Sequence, residues 1–376
     1  MPKRVMISAG EVSGELYGAL LSRSIKSRWP DAEITGIGGN RMKDEGVNLI
    51  ATISGSLGLT EAARHLWKTL KIFKRAKEEL VKQRPDVLVL IDYPDFNIPF
   101  AKKAKSEGVP VLYYVSPQVW AWRAGRVKKI ASLVNKIAVL FPFEVDIYRN
   151  TGLSCEFVGH PIAETIDFGQ TKEELKKKLG IDPGKGIITL LPGSRHAEIK
   201  RHMPLIAEVA ERIHNEFPGI QIVIPLAFET AIDENLPDYI KVVNGKTIEA
   251  VSCSEAAAVA SGTATLETAL LGIPMVVFYK LSPLTVFFAR LLVKVRFISL
   301  VNILSGKEVI IELIQKKATA ERIFTELKRI LNDREYRRNM ISNLQKIRDT
   351  MGEKTASLRV ASVVGELAGW NSTNVS

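Results

Sequence analysis

Several side chains and two short glycine turns in this sequence have the types and spacing to bind a phosphorylated ligand and to accept a proton. Asp92 closes the apolar run 86–91 in Ile91-Asp92-Tyr93-Pro94-Asp95-Phe96-Asn97. A carboxylate at the end of a buried strand, with Pro94 fixing the turn, is placed to act as a general base. Asp95 offers a second acid, and position nearest the strand favours Asp92. Either acid also suits capping of a helix that starts near Asn97-Ile98-Pro99. Glu11, in Ala9-Gly10-Glu11-Val12-Ser13-Gly14, ends the first strand and either meets a ligand or caps the next helix. In Leu190-Leu191-Pro192-Gly193-Ser194-Arg195 a strand end turns through Gly193 and Ser194 and presents Arg195, whose planar fork suits a diphosphate. Ser261-Gly262-Thr263-Ala264-Thr265-Leu266-Glu267 follows the apolar run 256–260. Small residues between strand and helix aim backbone N–H groups and a positive helix end at an anion. Glu267 is expected on the first helical turn, where a carboxylate can accept both hydroxyls of a ribose, although an ordinary βα turn reads the same way.

These groups are useful only if strands end at them, and the apolar runs supply such strands. Residues 5–8, 32–37, 86–91, 111–115, 136–140 and 155–158 read as strands of a first half; residues 186–191, 221–224, 256–260 and 273–279 read as strands of a second. Continuous β-branched and Leu runs of this kind mark parallel strands covered on both faces. Helices are expected over 59–83, from about Met203 to Glu216, and over 247–252. The fold class is therefore α/β, as two doubly wound, Rossmann-like domains. The expected division is 1–165, 166–345 and a helical 346–376 that packs back on the first domain with a polar tail. The glycines after the first strand follow G-x-x-x-G, so the dinucleotide fingerprint is absent and hydride transfer is disfavoured.

Composition narrows the partners. The chain has 376 residues, a net charge of +11 and two cysteines, Cys155 and Cys253, so neither a disulfide framework nor a Cys/His metal cluster is expected. The start has no signal-like segment, which points to the cytoplasm. The positive charge suits nucleic acid, an anionic membrane or phosphorylated substrates. Zinc-finger spacing, RNP motifs and a basic–aromatic stripe are all lacking, which disfavours nucleic acid. The helix over 59–83 carries Leu66, Trp67, Leu70 and Phe73 among many cations, the pattern of an interfacial anchor or of an ordinary surface helix with its stripe in the core. The apolar stretch 282–304 is not a membrane span, because Arg290, Lys294 and Arg296 cost about +9 kcal/mol against about −6 from its apolar residues. It reads as helix then strand. Trp122 and Arg123, after the strand over 111–115, could stack on or hold a sugar or phosphate, or simply fill a loop.

Together with Tyr114-Val115-Ser116-Pro117-Gln118-Val119-Trp120-Ala121-Trp122-Arg123, these motifs occur in an order that resembles the lipid A disaccharide synthase family over nearly the whole chain. The resemblance implies a GT-B glycosyltransferase with its active site in the cleft between two domains. Such an enzyme transfers from UDP-2,3-diacylglucosamine to 2,3-diacylglucosamine 1-phosphate (lipid X), giving a β-1,6-linked disaccharide phosphate and UDP. It also implies independence of metal and cofactor, peripheral association with the inner membrane and dimerisation through the C-terminal part. Carried onto this chain, the essential acid is Asp92, the phosphate-binding arginine Arg195 and the UDP-ribose acid Glu267, with Glu11 and Asn302 at further functional positions. Val12, Glu15 and Val301 depart from the family pattern, which leaves acyl preference and loop shape open. UDP-sugar 2-epimerases, which share the two-domain plan, are the alternative among enzymes.

Overall fold

The computed structural model describes residues 2–52, 62–117, 125–166, 169–226, 236–281, 296–352 and 355–370. The chain divides into two units, Met1–Glu164 with Met351–Ser376, and Thr165–Thr350. In the first, β1 (Arg4–Ala9), α1 (Val12–Arg28), β2 (Glu33–Gly38), α2 (Asn40–Asp44), β3 (Asn48–Thr52) and α3 (Ala62–Gln83) lead to β4 (Val87–Ile91). Then follow α4 (Pro94–Ser106), β5 (Val111–Tyr114), α5 (Arg126–Ala131), β6 (Lys136–Val139), α6 (Glu144–Tyr148) and β7 (Ser154–Phe157). The strands form one seven-stranded sheet, ordered β3-β2-β1-β4-β5-β6-β7, with β1 parallel to both β2 and β4. All five residues of β4 are inaccessible to solvent. Leu88 and Leu90 face the layer of Ala76, Leu80, Phe96, Phe100 and Ala104. By strand alternation Val87, Val89 and Ile91 face the other way, which is why β4 needs an apolar residue at every position.

In the second unit, α7 (Lys172–Lys178) precedes β8 (Gly186–Leu191), α8 (His196–Glu216), β9 (Ile220–Leu226), β10 (Ile240–Asn244), α9 (Thr247–Ser252), β11 (Ala256–Ala260), α10 (Thr263–Leu270), β12 (Met275–Tyr279) and β13 (Glu312–Ile314). This sheet runs β10-β9-β8-β11-β12-β13. Helices Ala320–Asn332 and Arg334–Thr350 complete the unit, and a last helix, Ala356–Leu367, belongs to the first.

The structure corrects several expectations. Helix α8 begins at His196, directly after Arg195, rather than near Met203; the interior Pro204 obscured its first two turns. Residues 300–304, expected to end in strand, lie in the helix Leu300–Ser305, which Ser299 caps through the Val301 N–H at 3.1 Å; residues 282–295 lie outside the described residues. Strands β3, β10 and β13 were not foreseen. Each is an edge strand with mixed burial, so none shows the continuous apolar run that marks a central parallel strand.

Candidate active site

Each sheet reverses its winding at one place, and the turns holding Glu11, Asp92, Gly193–Arg195 and Ser261–Gly262 leave strand ends there. In the first sheet β1 lies between β2 and β4, with Ala9 opposite Ile91, so the turns holding Glu11 and Asp92 leave adjacent strand ends. In the second, β8 lies between β9 and β11, and Leu191 is opposite Val259. The Gly193–Arg195 turn and the Ser261–Gly262 turn are therefore neighbours. Ligands of open α/β sheets bind at such switch points, beyond the carboxyl ends of the strands.

Asp92 leaves β4 through a sharp elbow. Asp92 and Tyr93 both adopt left-handed backbone, with φ of 47° and 45°, a conformation that costs a non-glycine residue about 1–3 kcal/mol. Val115, at the end of the neighbouring β5, has φ 67°. Burial pushes the Asp92 carboxyl up to about 6, with the nearby Glu11 charge acting in the same direction. That value suits a proton acceptor near neutral pH. Gly10 is required beside this elbow, since a Cβ there would lie 2.2 Å from the Tyr93 ring. Tyr93 stacks on Phe96 at 5.7 Å. Glu15 accepts the Arg41 N–H at 2.9 Å, so it serves the start of α2. Asp95 pairs with Arg126 at 2.6 Å and lies in the first turn of α4, which starts at Pro94.

The second cluster is held by residues that sequence reasoning missed. Gly193 has φ 125°. The carboxylate of Glu198, one turn into α8, accepts the N–H of Ser194 at 3.3 Å and of Arg195 at 3.4 Å. Its other oxygen accepts the Tyr279 hydroxyl at 2.7 Å, and the Arg195 guanidinium stands 3.8 Å away. Burial pushes the Tyr279 phenol up to about 12, keeping it a donor. Fully buried His202 accepts the Lys280 N–H on Nε2 at 3.1 Å, so Nδ1 carries the proton and donates to the Pro192 carbonyl at 2.6 Å. This neutral ring, its pKa lowered by burial, ties the end of β8 to the end of β12. The only sequence signal was the capping pattern of an acid three residues after Arg195.

Gly262 is the N-cap of α10 and provides no side-chain cap, leaving the first-turn amides of Thr263 and Ala264 untaken by a capping side chain. Ser261 N–H bonds the Phe278 carbonyl at 3.0 Å. The Thr265 hydroxyl is turned inward to the Gly262 carbonyl at 2.7 Å. Because the helix starts at Thr263, Glu267 lies on its second turn and not on its first. Asn302 is fully buried, with its amide engaged by Ile310 O, Glu312 and the N–H groups of Val309 and Ile310; here it braces the approach to β13. Trp122 and Arg123 lie outside the described residues. On α3, Trp67 is 70% and Leu70 51% exposed. Phe73 instead turns inward, 5.2 Å from the Phe96 ring and 6.3 Å from that of Phe100; the Leu66 side chain is outside the described set.

Two doubly wound, parallel-sheet α/β units are the parts of a GT-B fold. The fold is shared with a putative UDP-N-acetylglucosamine 2-epimerase from Listeria monocytogenes (TM-score 0.69, 12% identity, 97% of this chain and 96% of the other). It is also shared with the glycosyltransferase of kitacinnamycin (TM-score 0.66, 14% identity, 98% and 100%). Sequence is more specific. The model of the family described as lipid-A-disaccharide synthetase matches residues 5–363. The lipid-A-disaccharide synthase of Geobacter metallireducens is 42% identical over 375 residues, 98% of each chain. That of Trichlorobacter lovleyi is 42% identical over 372 residues, 96% of this chain and 97% of the other. This chain belongs to the lipid-A-disaccharide synthase family.

Proposed function

We propose that this enzyme transfers the 2,3-diacylglucosaminyl group of UDP-2,3-diacylglucosamine to the 6-hydroxyl of 2,3-diacylglucosamine 1-phosphate, with inversion. Asp92 takes the hydroxyl proton as the oxygen attacks the anomeric carbon from the face opposite UDP. The C1–O bond to UDP breaks, and the departing diphosphate is stabilised by Arg195 and, within the Ser261–Thr265 turn, by the first-turn amides of Thr263 and Ala264. Gly193 and Ser194 shape the Arg195 turn, and Glu267 accepts the ribose hydroxyls. Glu11, whose charge helps to raise the Asp92 carboxyl, is the second candidate for the proton. The observation that carries this reading is the placement of Asp92 and Glu11 on adjacent strand ends at the switch point of the first sheet in a chain of this family.

The test is mass spectrometry of products from UDP-2,3-diacylglucosamine incubated with and without lipid X. A disaccharide 1-phosphate and UDP formed only with acceptor are expected. Release of an epimerised sugar or UDP without acceptor would favour the 2-epimerase chemistry of its structural neighbours. Among the described residues, no helix is long and apolar enough to cross a membrane. Access to lipid substrates is assigned to the exposed Trp67 and Leu70 on a helix lined with Lys68, Lys71, Lys74 and Arg75, which suits an anionic bilayer surface.

A further inference from the structure

We propose that Asn97, Ser8 and Tyr113 are positioning residues for the reaction: a buried polar bracket that grips the Asp92 main chain and holds its carboxylate at the elbow. This rests on the reading of Asp92 as the proton acceptor. The Asn97 side chain, inaccessible to solvent, donates from Nδ2 to the carbonyl of Asp92 at 2.8 Å and of Ile91 at 3.1 Å. The Ser8 carbonyl stands at 3.4 Å from the same nitrogen. The orientation of the amide is fixed by the Ser8 hydroxyl, which donates to Asn97 Oδ1 at 2.7 Å. From the adjacent strand the Tyr113 hydroxyl donates to the same Asp92 carbonyl at 2.8 Å. Two donors fill that carbonyl's two lone pairs, and they come from β5 and α4, while the serine that aligns one of them comes from β1.

The bracket has work to do because the elbow opposes local preference. Left extended, residue 92 would continue the alternation of β4 and share the face of Leu88 and Leu90, both sealed in the apolar layer. The left-handed turn at Asp92 is where the chain departs from that path. A carboxylate displaced by about 1 Å forfeits roughly 100-fold in rate, so the network that fixes the main chain acts on catalysis through Asp92 without touching substrate.

The test compares wild type with Tyr113→Phe, Asn97→Ala and Asp92→Asn, measuring kcat, KM for each substrate, the kcat–pH profile and thermal unfolding. Tyr113→Phe keeps the ring and removes one donor. It is expected to lower kcat about 10-fold, leave both KM values within about twofold, and move the acid limb of kcat to lower pH as water reaches the carboxylate. Asn97→Ala should lower kcat about 100-fold; if it fails to fold, Tyr113→Phe decides. Unchanged kcat and acid limb in folded Tyr113→Phe, with Asp92→Asn inactive, would overturn the bracket alone. Full activity of Asp92→Asn would remove the base reading, and the bracket's catalytic role with it.

Discussion

At the scale of single residues, the role proposed for Asp92 links activity to stability with opposite signs. Proton acceptance needs the ionised form, so kcat should fall about tenfold per pH unit below pH 6, the value to which burial pushes this carboxyl. A pH–rate profile of the wild-type enzyme checks this. For stability, the folded chain keeps the proton up to about pH 6, while the unfolded chain releases it near pH 4. The folded state thus binds more protons in that window, and the stabilisation present at low pH is lost as pH rises through 6. Asp92→Asn should therefore abolish transfer, retain UDP binding, and raise stability at pH 7.5 by about 1–3 kcal/mol. A urea midpoint equal to or below wild type would contradict it. Arg195 makes the converse case. Its guanidinium side chain is 65% exposed, so Arg195→Ala should leave unfolding unchanged while turnover falls about 100- to 1,000-fold; unaltered turnover would remove it from the mechanism.

At the scale of elements, α3 divides what its sequence had grouped together. Ala76 and Leu80 are fully buried and Phe73 packs on Phe96 and Phe100, whereas Trp67 and Leu70 face outward. Replacing Trp67 and Leu70 by Ser should release the enzyme from anionic vesicles in a flotation assay with its melting temperature unchanged. Phe73→Ala should instead cost about 3 kcal/mol in denaturant unfolding. The central strands β1, β4, β8 and β11 were legible because burial on both faces demands nearly continuous apolar runs, broken only by the buried Ser8 and Thr189 within β1 and β8. Edge strands lack that demand. β10, for example, buries Ile240 and Val243 but exposes Lys241 and Asn244, and so reads locally like a loop.

At the scale of the whole chain, the first unit is made from both chain ends. The Trp29 ring lies against Gly365, where an added Cβ would come within 2.4 Å, and stacks edge-on with Trp370 at 5.0 Å. Trp370 Nε1 and the Arg4 N–H both bond Asp86 Oδ2, at 3.1 and 2.9 Å. Ser24 and Ser357 bond each other at 2.8 Å. Deleting residues 355–376 should lower the melting of the first unit in calorimetry and leave the UDP binding proposed for the second unchanged. Gly365→Ala, through overpacking, should cost about 1–3 kcal/mol. A truncated chain with an unchanged thermogram would show the helix to be dispensable.

The sequence by itself determined the α/β class, the central strands and the chemical groups at their ends, because burial pattern and turn composition are local properties. The positions of Asp92, Arg195 and the Ser261–Gly262 turn at strand ends were readable on that basis, and the family from the resemblance of motifs in their order. Only the tertiary structure decided which residues hold those groups in place. Ser8 meets Asn97 across 89 positions, and Tyr279 meets Glu198 across 81. Such partners are joined by strand order and not by local propensity, and the left-handed backbone at Asp92 persists because contacts distant in sequence outweigh its local cost.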